Sequence, residues 1–234
     1  MRTRTILAAA AIGAVAILPA TADAATLRVV SGKRTILSVR QVNVGSARAY
    51  LDTAGRSHRL KANTALGQLI TANAFYNTYL RISYMSGLGA YVTRIAGVAA
   101  PKKGYWALFV NGDMAPLGAD STIVHRDDSV IWIGDDDYSS KNGPWVFQLD
   151  ANARASGMVT FTGVRIGGAK ATPAKGVPLV VNGEQTVTLD GDGKATVRLS
   201  GAWTATLAAR GRTAASLPIS GTSPTCRSGA ARAC

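Results

Sequence analysis

The sequence predicts an α+β domain, in which one helix crosses a mixed sheet, followed by a small all-β sandwich. Helical periodicity occurs once, near residues 63–73, between segments patterned as strands. After residue 150, short apolar segments alternate with turn signals about every eight to twelve residues, which is typical of a sandwich. Between the two patterns, residues 135–144 carry Asp, Ser, Gly and Pro, so we expect the domain break there.

Five segments follow from these patterns: a signal peptide at 1–24, the α+β domain at 25–135, a linker at 136–150, the β-sandwich at 151–222 and a flexible, Cys-containing tail at 223–234. The first segment has a basic start, an apolar run and the small-x-small site Ala22-Asp-Ala24. The run is shorter than the ~20 residues of a spanning helix. We therefore expect cleavage after Ala24 and a secreted or cell-envelope-associated protein, with an uncleaved membrane anchor as the alternative.

Each element of the first domain has its own signal. Either Asn63 or Thr64 can cap the helix, whose apolar residues recur at i, i+3 and i+4 on a narrow stripe that suits packing on a sheet. Residues 105–110 are apolar without alternation and predict a strand buried on both faces, and Asn111-Gly112 predicts a tight type I′ turn after it. The other predicted strands are 27–30 paired with 35–39, 80–84, 91–95, and 121–124 paired with 129–133.

In the second domain the helical period disappears. Asn-Gly, Asp-Gly, Ser-Gly and Arg-Gly dipeptides separate the apolar segments, and Trp203 is the expected centre of the core. The predicted strands are 157–166, 177–181, 185–189, 195–199, 203–208 and 214–219.

The chain is strongly basic, with 26 Lys and Arg against 13 acidic residues and a net charge of +13. Without residues 1–24, which contain Arg2, Arg4 and Asp23, it has 24 basic and 12 acidic residues. This charge attracts anionic partners such as a cell-envelope polymer or an acidic membrane surface. We expect no nucleic-acid partner, because the charges are scattered singly without a basic run or an interleaved stacking motif.

Five short motifs, in order along the chain, resemble the transcobalamin-like C-terminal domain family: Thr64-Ala-Leu-Gly-Gln-Leu69, residues 89–97, residues 105–112, Gly118-Ala-Asp120 and residues 128–132. Many bacterial members of that family are known only as a domain of unknown function. The resemblance implies a β-grasp-like first domain. Cobalamin is a possible ligand only through this resemblance, and we expect no other cofactor. The second half, notably residues 176–183 and 188–197, resembles the immunoglobulin-like modules of exported proteins, which space, present or bind.

The aromatic residues around strand 105–110 are the candidate ligand platform. Successive strand side chains take opposite faces, so Tyr105 and Phe109 share one face while Trp106 lies on the other. One face must fill the core, and the other either is covered or offers an apolar patch. The candidate ligand-binding residues are Tyr91, Tyr105, Trp106, Phe109, Asn111, Met114 and Trp132.

Other reactive residues carry weaker hypotheses. Asp135 and Asp137 are weak candidates for a calcium site, but the Gly and the late Glu of an EF-hand loop are missing, so a solvated linker is favoured. We interpret His58 and His125 as surface or strand residues. Cys226 and Cys234 predict a disulfide that closes a small loop in the tail, with pairing to another molecule as the alternative.

The sequence contains no nucleophile turn and no complete metal-ligand set, so we expect a protein that is not an enzyme. The leading hypothesis is an exported binding protein that holds a small ligand or an envelope component through its first domain. The alternative is a structural or adhesive surface protein in which both domains are spacers. A third hypothesis, a metal-dependent enzyme, requires His125 to converge with residues 135–137.

Overall fold

The computed structural model describes residues 24–43, 48–61, 63–102, 104–135, 145–154, 156–210 and 213–223. We define a first unit at 24–135 and a second unit at 145–223. The elements of the first unit are β1 (Ala24–Ser31), β2 (Arg34–Asn43), β3 (Ala49–Leu51), β4 (Ser57–Arg59), α1 (Ala65–Tyr76), β5 (Arg81–Met85), β6 (Gly89–Ile95), β7 (Val98–Ala99), β8 (Tyr105–Val110), β9 (Asp113–Met114) and β10 (Ser129–Asp135). Those of the second unit are β11 (Trp145–Ala153), β12 (Met158–Ile166), β13 (Thr172–Pro173), β14 (Pro178–Val181), β15 (Gln185–Thr188), β16 (Lys194–Arg198), β17 (Gly201–Leu207), β18 (Thr213–Ala214) and β19 (Ile219–Ser223).

The first unit is built on a five-stranded mixed sheet in the order β2-β1-β10-β8-β9. The β1–β10 pair is parallel, and the other three pairs are antiparallel. Strands β3–β4 and β5–β6–β7 form two smaller sheets. The described part of the chain is therefore mostly β with one helix, as the sequence predicts.

Helix α1 begins where the sequence predicts. The Thr64 side chain accepts a hydrogen bond from the Gly67 backbone N–H at 3.2 Å, which satisfies one of the free donors of the first turn. The helix ends at Asn77, whose left-handed φ of 47° closes the last turn. Leu66 and Leu69 are almost fully buried against the main sheet, so the helix covers one face of that sheet.

The hairpins predicted at 27–39 and at Asn111-Gly112 are confirmed. Strands β1 and β2 pair around Gly32, and Asn111 and Gly112 both have positive φ between paired Val110 and Asp113. The strand predicted at 121–124 is wrong, because β10 already pairs with β1 on one edge and β8 on the other. The backbone at 121–124 instead exchanges hydrogen bonds with the residues around the start of α1.

The second unit consists of two sheets packed face to face. One contains β13-β12-β11-β18 with β16 paired to β12, and the other contains β15-β14-β17-β19. Trp203 lies between them, 5% exposed, with its ring edge-on to Phe161 at 5.4 Å between centroids. Trp203 therefore fills the core as predicted.

The predicted linker at 136–150 needs a correction at its end. Strand β11 already begins at Trp145 and pairs along its length with β12. Val146, Phe147 and Leu149 are buried, so this segment belongs to the core of the second unit. Residues 136–144 lie outside the described residues.

The main sheet is buried on both faces, and strand β8 shows how. Trp106 and Leu108 face the core beneath α1. Ala107 and Phe109 face the second unit, in a shared cluster with residues that include Ile166. The predicted burial of β8 on both faces is confirmed, and successive side chains take opposite faces of the strand.

Arg28 joins the two units from the buried face of β1. Its residue is 6% exposed, and its guanidinium donates hydrogen bonds to Thr35 Oγ1 and to the backbone carbonyl oxygens of Phe147 and Ala215. None of the ion pairs among the described residues includes Arg28. Burial lowers the pKa of Arg28 to about 10, so the group stays charged at neutral pH and is held by neutral acceptors.

We expect Arg28→Leu to lower the free energy of unfolding by about 3 kcal/mol, because two buried carbonyl groups lose a charged donor. Urea denaturation of the full chain measures the change. The control is Arg198→Leu on the exposed side of β16, which should change stability by less than about 0.5 kcal/mol. Equal stability of the two variants would show that the contact between the units does not depend on Arg28.

Candidate functional site

Exposed apolar side chains concentrate on the first unit. Eleven large hydrophobic residues of the described chain are exposed, and all lie between positions 51 and 123: Leu51, Phe75, Tyr76, Tyr79, Tyr84, Met85, Leu88, Tyr91, Met114, Leu117 and Ile123. Such a concentration marks an interaction surface more often than isolated exposed residues do.

Five of these residues lie on the β5–β6 hairpin or in the loop beside it, and we call them the hairpin surface: Tyr84, Met85, Leu88, Tyr91 and Leu117. Leu88 is 75% exposed in the turn, and Leu117 is 61% exposed in the loop that passes beside it. The two segments are close, since a Cβ built on Gly118 would lie 3.8 Å from the Leu88 carbonyl oxygen. The hairpin turn and the neighbouring loop therefore present one apolar surface.

The turn requires glycine and is held by an aspartate. Gly87 and Gly89 have φ of 84° and 81°, a region that residues other than glycine disfavour. The Ala90 backbone N–H donates to Asp120 Oδ2 at 3.0 Å. A Cβ on Gly89 would lie only 2.7 Å from the same oxygen, so Asp120 fits against the turn because residue 89 has no side chain.

The hairpin rests on strands β3 and β4. The Thr53 N–H donates to the Ile82 carbonyl, and the Thr53 and Ser83 hydroxyl oxygens are 2.9 Å apart. The ring of His58 stacks on Tyr84 at 4.1 Å between centroids. These contacts fix the hairpin where it leaves the main body of the unit.

A buried carboxylate supports the stacked histidine from below. The Asp52 side chain is 1% exposed and accepts hydrogen bonds from His58 Nε2 and Arg56 Nε, both at 2.9 Å, and from the backbone N–H groups of Ala54 and Arg56. The hydrogen bond with His58 lowers the pKa of Asp52 most, and those from Arg56 and Ala54 add to it, against the opposing effect of burial. Asp52 is therefore a charged, fully engaged acceptor.

Tyr50 completes the column of rings. Its ring stacks on the other side of His58, with 5.1 Å between centroids, and it is 7% exposed. Burial, followed by the charge of Asp120, raises the pKa of Tyr50 to about 12. The order Tyr50–His58–Tyr84 thus links a buried tyrosine to the hairpin surface.

Three of the seven predicted platform residues are core residues, which corrects the sequence-based hypothesis. Trp106, Phe109 and Trp132 are 5%, 1% and 2% exposed. The face of β8 that the sequence left open for a ligand is covered by the second unit, through Val146 and Ile166. A ring in either core does not reach a ligand at the surface.

The other four predicted residues are not brought together in one site. Tyr105 is half-buried at the start of β8, and Tyr91 is 48% exposed on the hairpin surface. Met114 is exposed on β9, next to the turn of Asn111. The Asn111 side chain donates a hydrogen bond to Asp128 and accepts one from the Ser129 N–H, so it fixes the start of β10. Tyr91 alone among the seven candidates belongs to the hairpin surface.

The sequence did not identify the pairing of His58 with Asp52. We interpret His58 from the sequence as a surface or strand residue, and it lies in strand β4. Its side chain is only 18% exposed and contacts groups from β3 and β5. The available signal was local: Asp52-Thr-Ala-Gly-Arg56 is an Asp-initiated turn between two short strands, which brings Asp52 beside residues that follow the turn.

The metal hypothesis does not gain a site. Among the described residues, no three His, Cys, Asp or Glu side chains converge to hold a metal ion. His125 has a 75% exposed side chain, and its backbone N–H donates to Asp128 at 2.7 Å. Asp135 ends β10 opposite Tyr105. Asp137, Cys226, Cys234 and residues 1–23 lie outside the described residues, so the metal, disulfide and signal-peptide predictions on them remain predictions.

Comparison with known proteins gives one family match. Residues 63–133 match the domain of unknown function DUF4430. The match runs from the start of α1 into β10 and includes the hairpin surface, whereas Asp52 and His58 precede it. It supports the resemblance at the level of this domain, and it covers less than a third of the chain.

One solved structure and one negative result complete the comparison. A crystal structure of haptocorrin in complex with Cbi shares 20% sequence identity with the chain, at a TM-score of 0.34. The alignment covers 47% of this chain and 24% of the haptocorrin chain. No curated protein matches. In the described part of the chain, no helix is long and apolar enough to span a bilayer.

Protonation of Asp52 should destabilise the protein in acid. The folded-state pKa of Asp52 lies below its ordinary value of 3.8, so its stabilisation is present above about pH 4 and is lost as pH falls toward the folded-state pKa. We expect Asp52→Asn to have a lower Tm at pH 7 and a shallower fall of Tm below pH 4. Thermal unfolding across pH measures this, with exposed Asp113→Asn as control. Parallel Tm curves for Asp52→Asn and the parent would contradict the assignment.

Gly89→Ala should cost more stability than Gly87→Ala. Both substitutions strain a positive φ by about 1 kcal/mol, but a Cβ on Gly87 meets nothing within 4 Å. At Gly89 the methyl group must displace Asp120 and break its bond to Ala90, which adds about 1–2 kcal/mol. Chemical denaturation measures both costs, and the extra cost should vanish in an Asp120→Ala background. Equal costs at the two glycines would refute the close fit.

Proposed function

We propose that the protein is an exported, non-catalytic binding protein that holds a small ligand or an envelope component on its hairpin surface. The observation that carries this proposal is the concentration of exposed apolar side chains on one well-supported hairpin. Leaving Leu88 and Leu117 in water costs free energy that a bound partner recovers. The stacked and hydrogen-bonded residues below the hairpin position this surface before a ligand arrives, which lowers the entropic cost of binding.

The chemistry of the buried cluster supports a positioning role in place of catalysis. The ring of His58 is stacked on both sides, and its Nε2 is bonded to Asp52. The hydroxyl groups of Thr53 and Ser83 are bonded to each other, and that of Thr93 donates to the Arg81 carbonyl oxygen. We propose that Asp52 and His58 hold the hairpin in position and that neither takes part in a chemical reaction.

The proposal also covers export and the finer fold assignments. Export is supported by the basic start, apolar run and small-x-small site of residues 1–24. A β-grasp-like first unit agrees with a mixed sheet crossed by one helix, and an immunoglobulin-like second unit agrees with two packed sheets that are antiparallel except for the pair β11–β18. In this assignment the second unit covers the face of the main sheet that α1 leaves open, and so supports the first unit.

A thermal-shift screen of the purified protein against corrinoids, other small metabolites and wall polymers tests the proposal. A ligand at 100 times its Kd should stabilise the protein by about 2.7 kcal/mol, which corresponds to a rise in Tm of several degrees. Leu88→Ser and Tyr91→Ala should reduce that rise. Phe75→Ser, which removes an 80% exposed side chain from the end of α1, should leave it unchanged.

Two outcomes would count against the proposal. Binding that the hairpin variants leave unchanged would place the site elsewhere on the molecule. If no ligand shifts Tm and the protein is retained in the cell-wall fraction, the spacer alternative explains the protein better. Release from that fraction by salt would then indicate retention by charge.

A further inference from the structure

The base of the β5–β6 hairpin carries two arginines on one face. Arg81 and Arg94 are register partners, so their side chains leave the same side of the strand pair. Their guanidinium carbons lie 5.4 and 5.9 Å from the centroid of the Tyr79 ring. Both cations therefore contact one aromatic side chain that is itself 51% exposed.

This pair of cations has no carboxylate partner among the described residues. None of the ion pairs in that part of the chain includes Arg81 or Arg94. Arg94 donates to the neutral carbonyl oxygen of Gly97 at 2.7 Å. Like charges directly opposite each other on a strand pair are destabilising, so the arrangement favours an external anion.

The charged base and the apolar turn lie at opposite ends of the same hairpin. Arg81 and Met85 are the two ends of β5, and four residues of strand span about 13 Å. Tyr91 lies between them on the same outer face, opposite Ser83. From turn to base, the outer face thus changes from aliphatic to aromatic to cationic.

We propose that the hairpin surface docks on an anionic lipid bilayer. Met85, Leu88 and Leu117 enter the boundary between headgroups and acyl chains, where amphipathic segments are buried by about 5–10 Å. At about 13 Å from the turn, Arg81 and Arg94 then lie at the level of the headgroup phosphates. This inference rests on the proposed function, because it names the occupant of the same surface.

The aromatic residues and the overall charge agree with this orientation. Tyr91 lies between the aliphatic turn and the arginines, and tyrosine favours the membrane–water interface. The net charge of +13 adds long-range attraction to an anionic surface. Asp120 is an acidic group beside the turn, and its Oδ2 is already bonded to the Ala90 N–H.

A bilayer fits the surface better than a soluble polyanion or a small ligand. A soluble polyanion gains its affinity from Arg81 and Arg94 and leaves Leu88, at 75% exposed, in water. Two concave sites of the described residues lie elsewhere: one beside Trp203, and a cavity of about 140 Å³ lined in part by Arg28. A bilayer covers an exposed aliphatic turn and neutralises the two arginines at the same time.

Co-sedimentation of the purified protein with phosphatidylglycerol or phosphatidylcholine vesicles tests the inference. We expect partitioning into phosphatidylglycerol vesicles, little into phosphatidylcholine vesicles, and weakening by salt. The Arg81→Gln/Arg94→Gln double variant should lower the partition coefficient roughly 30-fold, and Leu88→Ser about tenfold. All variants share the same N-terminal segment, so differences between them report the hairpin.

Matched controls separate docking from general charge, general hydrophobicity and misfolding. Arg154→Gln/Arg198→Gln removes two exposed arginines of the second unit and should retain nearly all binding. Phe75→Ser removes an apolar side chain that is more exposed than Leu88, and this variant should also bind normally. Arg81→Lys/Arg94→Lys keeps the charge and should bind within about threefold of the parent. Unchanged Tm and circular dichroism confirm that each variant is folded.

The outcomes distinguish this inference from the proposed function. Equal partitioning into both vesicle types, absent partitioning, or partitioning that the hairpin variants do not change would overturn lipid docking. Binding of soluble polyphosphate that requires the two arginines but not Leu88, with no vesicle binding, would also overturn it and leave the proposed function intact. If the hairpin variants change no binding to vesicles, polyphosphate or small ligands, both proposals are wrong.

Discussion

Burial of the main sheet on both faces is the constraint on which the rest of the structure depends. Helix α1 covers one face, and the second unit covers the other, so the long strands β1, β8 and β10 contribute side chains to two cores. The sheet that organises the first unit is therefore withdrawn from solvent. The exposed apolar side chains of the first unit therefore lie outside its central strands, and the β5–β6 hairpin with its neighbouring loop carries five of them.

The hairpin depends in turn on a polar cluster beneath it. A buried carboxylate needs several donors, and Asp52 obtains them from a histidine, an arginine and two backbone groups. Because His58 is held between Tyr50 and Tyr84, the same hydrogen bonds that satisfy Asp52 also orient the ring on which the hairpin packs. The hydrogen bonds that Asp52 needs in the interior therefore also set the position of the hairpin at the surface.

Local signals predicted the helix and several of the strands, whereas contacts between distant segments decided their roles. The cap at Thr64 and the turn at Asn111-Gly112 depend on nearby atoms, so the sequence identified both. Phe109 is buried by a second unit that begins more than thirty residues later in the chain. No local pattern shows which face of a strand such a distant segment covers. Arg81 and Arg94 became a pair only through the register of β5 with β6, which a bulge shifts by one residue.

The contact made by Arg28 has a consequence for how the two units can diverge. Across the boundary its guanidinium bonds to main-chain oxygens of Phe147 and Ala215, and every residue type supplies such an oxygen. The hydrogen bonds of Arg28 therefore depend on the path of the second unit's backbone and not on the identity of its side chains, while the apolar cluster around Phe109 and Ile166 requires only apolar residues. The second unit can exchange much of its outer sequence, or be replaced by another module of the same chain path, while the first unit keeps its arginine and its orientation.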